Sequence, residues 1–259
     1  MGTPHAWLWR HPARPRQGPR LVTQPPAQPA TPHDPPIRDA ASVIVLDREA
    51  RGGASVLMGQ RGAAAAFMAS KYVFPGGAVD PEDGAILLSQ SLDALTMTRL
   101  AAEPRDGSEV TPDALAAAAL RELAEETGLL TGSPGPAPKG WDHYADAGLA
   151  PDASALIYMF RAITPPGRTR RFDARFMVLD AELLHGDRHD FSNACDELSH
   201  LHWVPITEAR ALDLPFITEV VLAELAALIR VAGDGPLLQP ASVPFFDNRD
   251  ANPRFTRID

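Results

Sequence analysis

Cysteine is almost missing from this chain of 259 residues: Cys195 stands alone. A single thiol excludes any disulfide within the chain and suits a reducing compartment, so a cytoplasmic protein is expected. Long apolar runs are missing too. None approaches the roughly 20 residues that a membrane-spanning helix needs, and no membrane partner is expected. Positive charge is scarce, with 24 Lys and Arg against 33 Asp and Glu for a net charge of −9. Such a chain gains nothing from a polyphosphate backbone, so general nucleic-acid binding is not expected. Acids are absent before Asp34, while ten of the 26 prolines fall within residues 1–37, beside Arg10, Arg14, Arg16 and Arg20. A segment of this kind buries too little apolar surface to offset the entropy of ordering it. Its prolines also break the amphipathic helix on which an organelle transit peptide relies. Residues 1–37 are expected to be a disordered tail.

The remaining composition, 45% hydrophobic and 22% charged, is that of a globular protein. "ASVIVLD" (41–47) and "ASVLMGQR" (54–61) are short, apolar and β-branched, and "REARGG" between them reads as the turn of a hairpin. "KYVFPGG" (71–77) reads as a third strand stopped by a proline and two glycines. The stretch from Pro81 to Val110 is expected to be helical in its middle and loose at both ends. "TPDALAAAALRELAEETG" is a helix with its own punctuation: Thr111 caps it, Pro112 fits the first turn and Gly128 closes it. "SALIYMFRAITP", "RFMVLDAE" and "ELSHLHWVPI" read as strands, and alternation places Leu198, His200 and His202 on one face. One or two helices end the body near Gly235, and residues 236–259 are expected to be an irregular tail. Strands and helices alternate without strict order, which predicts an α+β fold with a mixed sheet between helices.

The helix over 112–127 carries the chemistry. Residues three and four apart share a helix face, so Glu122, Glu125 and Glu126 fall within an arc of about 100°. Like charges at that spacing repel by a few tenths of a kcal/mol per pair in water. A divalent cation among them reverses the sign, and a set of hard oxygens suits Mg2+ or Mn2+. Arg121, four residues before Glu125, is placed to hold that carboxylate. A lone pair of glutamates reads better as a solvated helix face, but here the surrounding residues form a pattern. "RELAEETGL" (121–129), with "FPGG" ahead of it, resembles the box of the Nudix hydrolases, G-x5-E-x7-R-E-U-x-E-E-x-G-U with U a bulky aliphatic residue. Gly77 matches the box glycine. Asp113, eight positions before Arg121, stands where the box has its first glutamate. Thirty-five residues separate Gly77 from Asp113 where the pattern has five, so the box is split by an insertion at about 83–110.

The resemblance continues through "VLMGQRGAAAAFMASKYVFPGG", "ITPPGRTRRFDARF" and "ELSHLHWVP", which are similar to the bacterial relatives of the peroxisomal CoA diphosphatases. It implies a Nudix α/β/α sandwich over residues 38–235. It further implies an enzyme that hydrolyses a phosphoric anhydride in a nucleoside-diphosphate-linked small molecule, with CoA or an acyl-CoA as one substrate class. ADP-ribose or a dinucleotide cofactor is the alternative, and a nucleotide-binding module without catalysis is the alternative from another class. Glu122, Glu125 and Glu126 are the implied ligands of Mg2+ or Mn2+, joined by the Gly77 carbonyl. Arg121 supports them, and Glu197 is a candidate general base. Arg61, Arg168, Arg171 and Arg175 are candidate contacts to substrate phosphates. His185, His189, Cys195, His200 and His202 have a spacing that fits no compact zinc module, and Trp203 reads as core rather than as a stacking platform.

Overall fold

The computed structural model of the protein describes residues 34–62, 67–250 and 252–259. The segment 1–33, most of the expected tail, lies outside the described residues. Ile37 does not belong to that tail, because it begins the longest strand.

That strand, β1 (Ile37–Asp47), turns into β2 (Ser55–Arg61) with Leu46 opposite Val56, the hairpin read from the sequence. Two short strands follow, β3 (Tyr72–Val73) against β2 and β4 (Gly76–Ala78) against β1. The insertion then forms a single helix, α1 (Ala94–Ala101), whose cap Asp93 accepts from the amides of Leu95 and Thr96. After it come α2 (Pro112–Thr127), β5 (Gly132–Pro134), α3 (Asp142–Ala147) and β6 (Leu149–Pro151), with β5 and β6 pairing in a small separate ladder. The main sheet continues with β7 (Ile157–Ile163), β8 (Arg171–Asp180) and β9 (Leu198–Pro205), and α4 (Phe216–Ala232) crosses its back. Its order is β8 beside β7 on one side and beside β1 on the other, then β2, then β3; β4 pairs with β1 and β9 with β2. The β1–β8 pairing is parallel, while β1–β2 and β7–β8 are antiparallel, so the sheet is mixed.

Both faces of the sheet are covered, and β1 shows how. Val43 and Val45 pack with Leu115, Ala116 and Ala119 of α2 on one face. Ile44 and Leu46, one residue out of phase, pack with Val221, Leu222 and Leu225 of α4 on the other. This is the expected α+β sandwich of a mixed sheet between helices. The alternation expected in β9 is broken. The register against β2 shifts between Ser199 and His202, and His200 takes φ +52, so a bulge re-aims the strand.

The expected irregular tail at 236–259 is also corrected. β10 (Val243–Asp247) joins the sheet parallel to β7, and β11 (Arg254–Ile258) pairs antiparallel outside it. Val243, Phe245 and Ile258 are buried in the same core as α2, so the domain extends to the C-terminal strand. The insertion is tied to this edge: Arg99 of α1 is buried and donates to the carbonyls of Pro240 and Ala241, at 2.7 Å each.

Candidate active site

The site forms where the last turns of α2 face β4. Thr111 accepts from the Ala114 amide at 3.1 Å, Pro112 opens the helix, and Gly128 closes it at φ +75 with its N–H on the Ala124 carbonyl. Ala116, Ala117, Ala118 and Ala119 are fully buried, and such small side chains let the helix lie close to the sheet. The glutamates at its far end are thereby brought to the two glycines of β4.

Those glycines have different reasons for being glycine. At Gly76, φ is +152 and a Cβ would stand 2.4 Å from the Ala41 carbonyl oxygen and 2.6 Å from Ser42 Cα. Backbone blocks that position. At Gly77 a Cβ would meet the Glu122 carboxylate at 2.2 Å, so bare backbone is what lets Glu122 reach the strand. The Gly76 N–H donates to Glu126 Oε2 at 2.7 Å. The other oxygen of Glu126 is buried without a partner.

Charge decides the state of these groups. Glu126 is almost wholly buried. Burial raises its pKa to about 8, helped by the charges of Glu122 and Glu197 and opposed by the Gly76 amide and by Arg61. Burial also raises the pKa of Glu122, with Arg121 opposing and Glu125 and Glu197 adding to it. Arg121 is the organising cation. It grips Asp83 through two hydrogen bonds of 2.9 and 3.0 Å and donates to Glu122 at 2.9 Å and to Glu125 at 3.2 Å. Burial alone would lower its pKa, but the Asp83 hydrogen bond and the charges of Glu122 and Asp83 raise it instead.

A cavity of about 950 Å³ opens in front of this cluster. Gly76, Gly77, Glu122 and Glu197 line its acidic end, beside Arg61, which donates to Glu197 at 2.7 Å. Arg38, Lys71, Arg168 and Arg170 stand around it. Part of the lining is apolar, with Phe67, Phe172, Phe176, Phe216 and Phe246. Phe67 and Phe172 meet edge to face at 5.3 Å; residues 63–66, the alanines preceding Phe67, lie outside the described residues.

The structure is similar to a Nudix hydrolase from Alicyclobacillus acidocaldarius, with 28% identity and a TM-score of 0.55 over 79% of this chain and 99% of that one. The fold is that of the Nudix hydrolases. Weaker likenesses include the Nudix domain of Shewanella oneidensis NrtR solved with ADP ribose, at 11% identity and a TM-score of 0.41 over 74% of this chain and 88% of that one. The MutT protein of Methanosarcina mazei Go1 is another, at 15% identity and 0.43 over 74% and 94%. No protein-family profile matches the chain, and neither does any curated protein. The A. acidocaldarius structure supports the Nudix family for this chain.

Viewed as a Nudix box, the site corrects the sequence register. Asp113 is in the first turn of α2, where it accepts from Ser91, away from Arg121's carboxylate partners. The acid that Arg121 grips is Asp83, five residues after Gly77 counted exclusively, which is the spacing of the box itself. Counting forward from Gly77 finds it; counting back eight positions from Arg121 stays on α2 and stops at Asp113, because the insertion lies before the helix. In the pattern the sequence resembles, Asp83 rather than Asp113 thus falls at the first acidic position, with the extra residues between Asp83 and α2. A short 3-10 turn over Pro81–Ala85 presents Asp83, whose Oδ2 also accepts from the Asp80 amide at 2.8 Å.

Two of the candidate phosphate-contacting arginines, Arg171 and Arg175, do not line the cavity. Arg171 is buried and donates to the carbonyls of Thr164, Asn248 and Arg249; burial lowers its pKa. Arg175 is buried in ion pairs with Asp39 at 2.6 Å and Asp173 at 3.4 Å. Both hold strands together. Arg61 and Arg168 do line the cavity, and so do Arg38, Lys71 and Arg170, which the candidate set lacked. Trp203 packs on the core beside α2, its indole N–H on the Arg188 carbonyl.

The donor set fits a hard divalent cation in its chemistry, and the orphaned Glu126 oxygen is the observation that favours one. Among the described residues no three His, Cys, Asp or Glu groups converge closely enough to hold an ion as they stand. Glu122 is engaged by Arg121 and Glu197 by Arg61, while the Glu125 side chain is half exposed outside the cavity.

Proposed function

We propose that this chain is a metal-dependent Nudix hydrolase that cleaves the diphosphate bond of a nucleoside-diphosphate-linked small molecule. The neighbouring Nudix hydrolase supports a hydrolase acting on phosphoric anhydrides. The observation that carries the metal-dependent part is Glu126, buried at the acidic end with one oxygen fixed by the Gly76 amide and the other unsatisfied. A buried carboxylate oxygen without a partner costs about 1–3 kcal/mol or more, which a cation repays.

Glu122, Glu126 and Glu125 are the side chains that would hold Mg2+ or Mn2+, with the Gly77 carbonyl beside them. A bound ion supplies charge neutralisation at the phosphate oxygens and a water of lowered pKa. The chain's own residues do the rest. The Gly76 amide and Arg121 orient Glu126 and Glu122. Glu197, on the cavity wall, would take a proton from the attacking water. Arg168 and Arg170, with Arg38 and Arg61, supply bidentate donors to phosphate oxygens. The apolar wall holds the part of the substrate remote from the diphosphate and excludes water there.

CoA or an acyl-CoA is the proposed substrate class. Its two phosphate-bearing regions match a cavity with carboxylates at one end and arginines around it, and its pantetheine or acyl portion matches the phenylalanine wall. The test is a panel of CoA, an acyl-CoA, ADP-ribose, a dinucleotide cofactor and a nucleoside triphosphate, each with and without Mg2+. Release of 3′,5′-ADP and a phosphopantetheine with the highest kcat/KM supports the assignment. Tenfold faster turnover of ADP-ribose or the dinucleotide overturns the CoA class and leaves the diphosphatase standing. Binding of a nucleotide with no release under any condition makes the chain a binding module.

A further inference from the structure

Resting on the metal-dependent reading above, we infer that Arg61 is a built-in counter-cation of the carboxylate site, holding Glu197 in place of the metal and turning to substrate phosphate once the metal enters. The geometry begins with the backbone. Arg61 ends β2, and its N–H and carbonyl are both fixed, to the Lys71 carbonyl and the Ser70 amide. β9 pairs alongside with Leu198 opposite Arg61, which brings Glu197 next to the guanidinium. The result is the 2.7 Å ion pair between groups 136 positions apart. Its positive charge also reaches Glu126. Four glutamates, Glu122, Glu125, Glu126 and Glu197, therefore meet two cations, Arg121 and Arg61.

The two cations are not equivalent. Arg121 is locked to Asp83 by two bonds and has a further acceptor in the Ala78 carbonyl. The Arg61 side chain has a single hydrogen bond among the described residues, to Glu197, and its buried Nε has no partner among them. A guanidinium carries five N–H donors in a planar fork, so most of the capacity of Arg61 is unspent and lies in the wall of the cavity. A divalent ion held by Glu122 and Glu126 would draw on the negative charge of Glu197 beside them, and Arg61 would compete with it for that charge. A displaced Arg61 is left desolvated beside the acidic end, where a phosphate oxygen is the acceptor that satisfies it. Metal entry and phosphate binding are in this way coupled in sign: the residue that weakens the first strengthens the second.

The experiment measures Mn2+ binding to the full chain without substrate, by electron paramagnetic resonance, and then imidodiphosphate binding in saturating Mn2+, by calorimetry. Arg61→Met is expected to bind Mn2+ roughly fivefold more tightly than wild type, the scale of one partly exposed ion pair. Its affinity for imidodiphosphate is expected to fall roughly tenfold, the scale of a lost charge-assisted contact. Arg61→Lys keeps the charge and is expected to bind Mn2+ as wild type does, which guards against misfolding of the methionine variant. In Glu197→Gln the Arg61→Met substitution is expected to tighten Mn2+ binding less than it does in wild type, because the contested carboxylate is gone and only the charge of Arg61 at Glu126 remains. Unchanged or weaker Mn2+ binding by Arg61→Met, or tightening just as large without Glu197, overturns the inference alone. Absence of Mn2+ binding by wild type overturns the metal-dependent reading and this inference with it.

Discussion

Gly76 and Gly77 are adjacent, yet their substitution by alanine is expected to fail in different ways. Gly76→Ala drives a Cβ into the backbone of β1, so a drop in melting temperature of many degrees is expected. Gly77→Ala meets only the flexible end of Glu122, which swings aside; melting stays near wild type while turnover falls by roughly tenfold or more, since catalysis is sensitive to small misplacements. Glu126 gives a second test at this scale. Its carboxyl holds a proton to about pH 8 in the folded protein against an ordinary value of 4.5. Between those values the folded state binds the extra proton. The stabilisation is thus full below pH 4.5 and is lost as pH rises through 8, an amount on the order of a few kcal/mol. Thermal melts of the metal-free protein are expected to fall across that window, and Glu126→Gln is expected to flatten the slope. A slope unchanged in the variant would assign the pH dependence to other groups. That Arg121 and the three glutamates share one helix was legible in the sequence, because local spacing decides it, while Gly77 stood out only as part of "FPGG". Asp83 was not, since "PEDG" looks like an ordinary turn until the fold closes it onto Arg121.

At the scale of elements, α2 was readable end to end because its cap, first-turn proline and terminal glycine are all local signals. β10 and β11 were not. Prolines and charges around them mimic a loose tail, and only partners far off in the chain, β7 for β10, reveal a strand. Removing residues 236–259 takes away Val243, Phe245 and Ile258, each worth about 1.5–3 kcal/mol when fully buried. It also strips the acceptors of Arg171 at Asn248 and Arg249 and those of Arg99. The shortened chain is expected to lose its cooperative unfolding transition in circular dichroism; a transition of normal steepness would show that the C-terminal strands are dispensable. The arginines of β8 teach the same lesson. "RTRRFDARF" reads as a phosphate-binding cluster, but Arg171 and Arg175 find acceptors brought by other strands. Arg161 and Arg175 share Asp173, which is wholly buried. Asp173→Ala, which leaves two buried guanidiniums short of a partner, is expected to destabilise the fold by about 3–5 kcal/mol in chemical denaturation. A loss of substrate affinity with stability intact would return these arginines to the binding site.

For the whole molecule, the sandwich places a carboxylate-bearing helix and a glycine strand at one end of a cavity whose other walls come from β7, β8 and α4. The insertion neither blocks nor lines the acidic end; it packs Leu92 and Leu100 into the core and anchors the C-terminal segment through Arg99. An activity that depends on Mg2+ and on the buried Glu126 is the central claim for this architecture. The most direct measurement is steady-state hydrolysis of the best substrate over a Mg2+ titration, comparing wild type with Glu126→Gln. Wild-type turnover is expected to vanish without Mg2+, and the variant to lose on the order of 10²–10³ in kcat, a loss of about 3–4 kcal/mol of transition-state stabilisation, with folding intact. Near wild-type turnover by the variant at limiting Mg2+ would contradict the account.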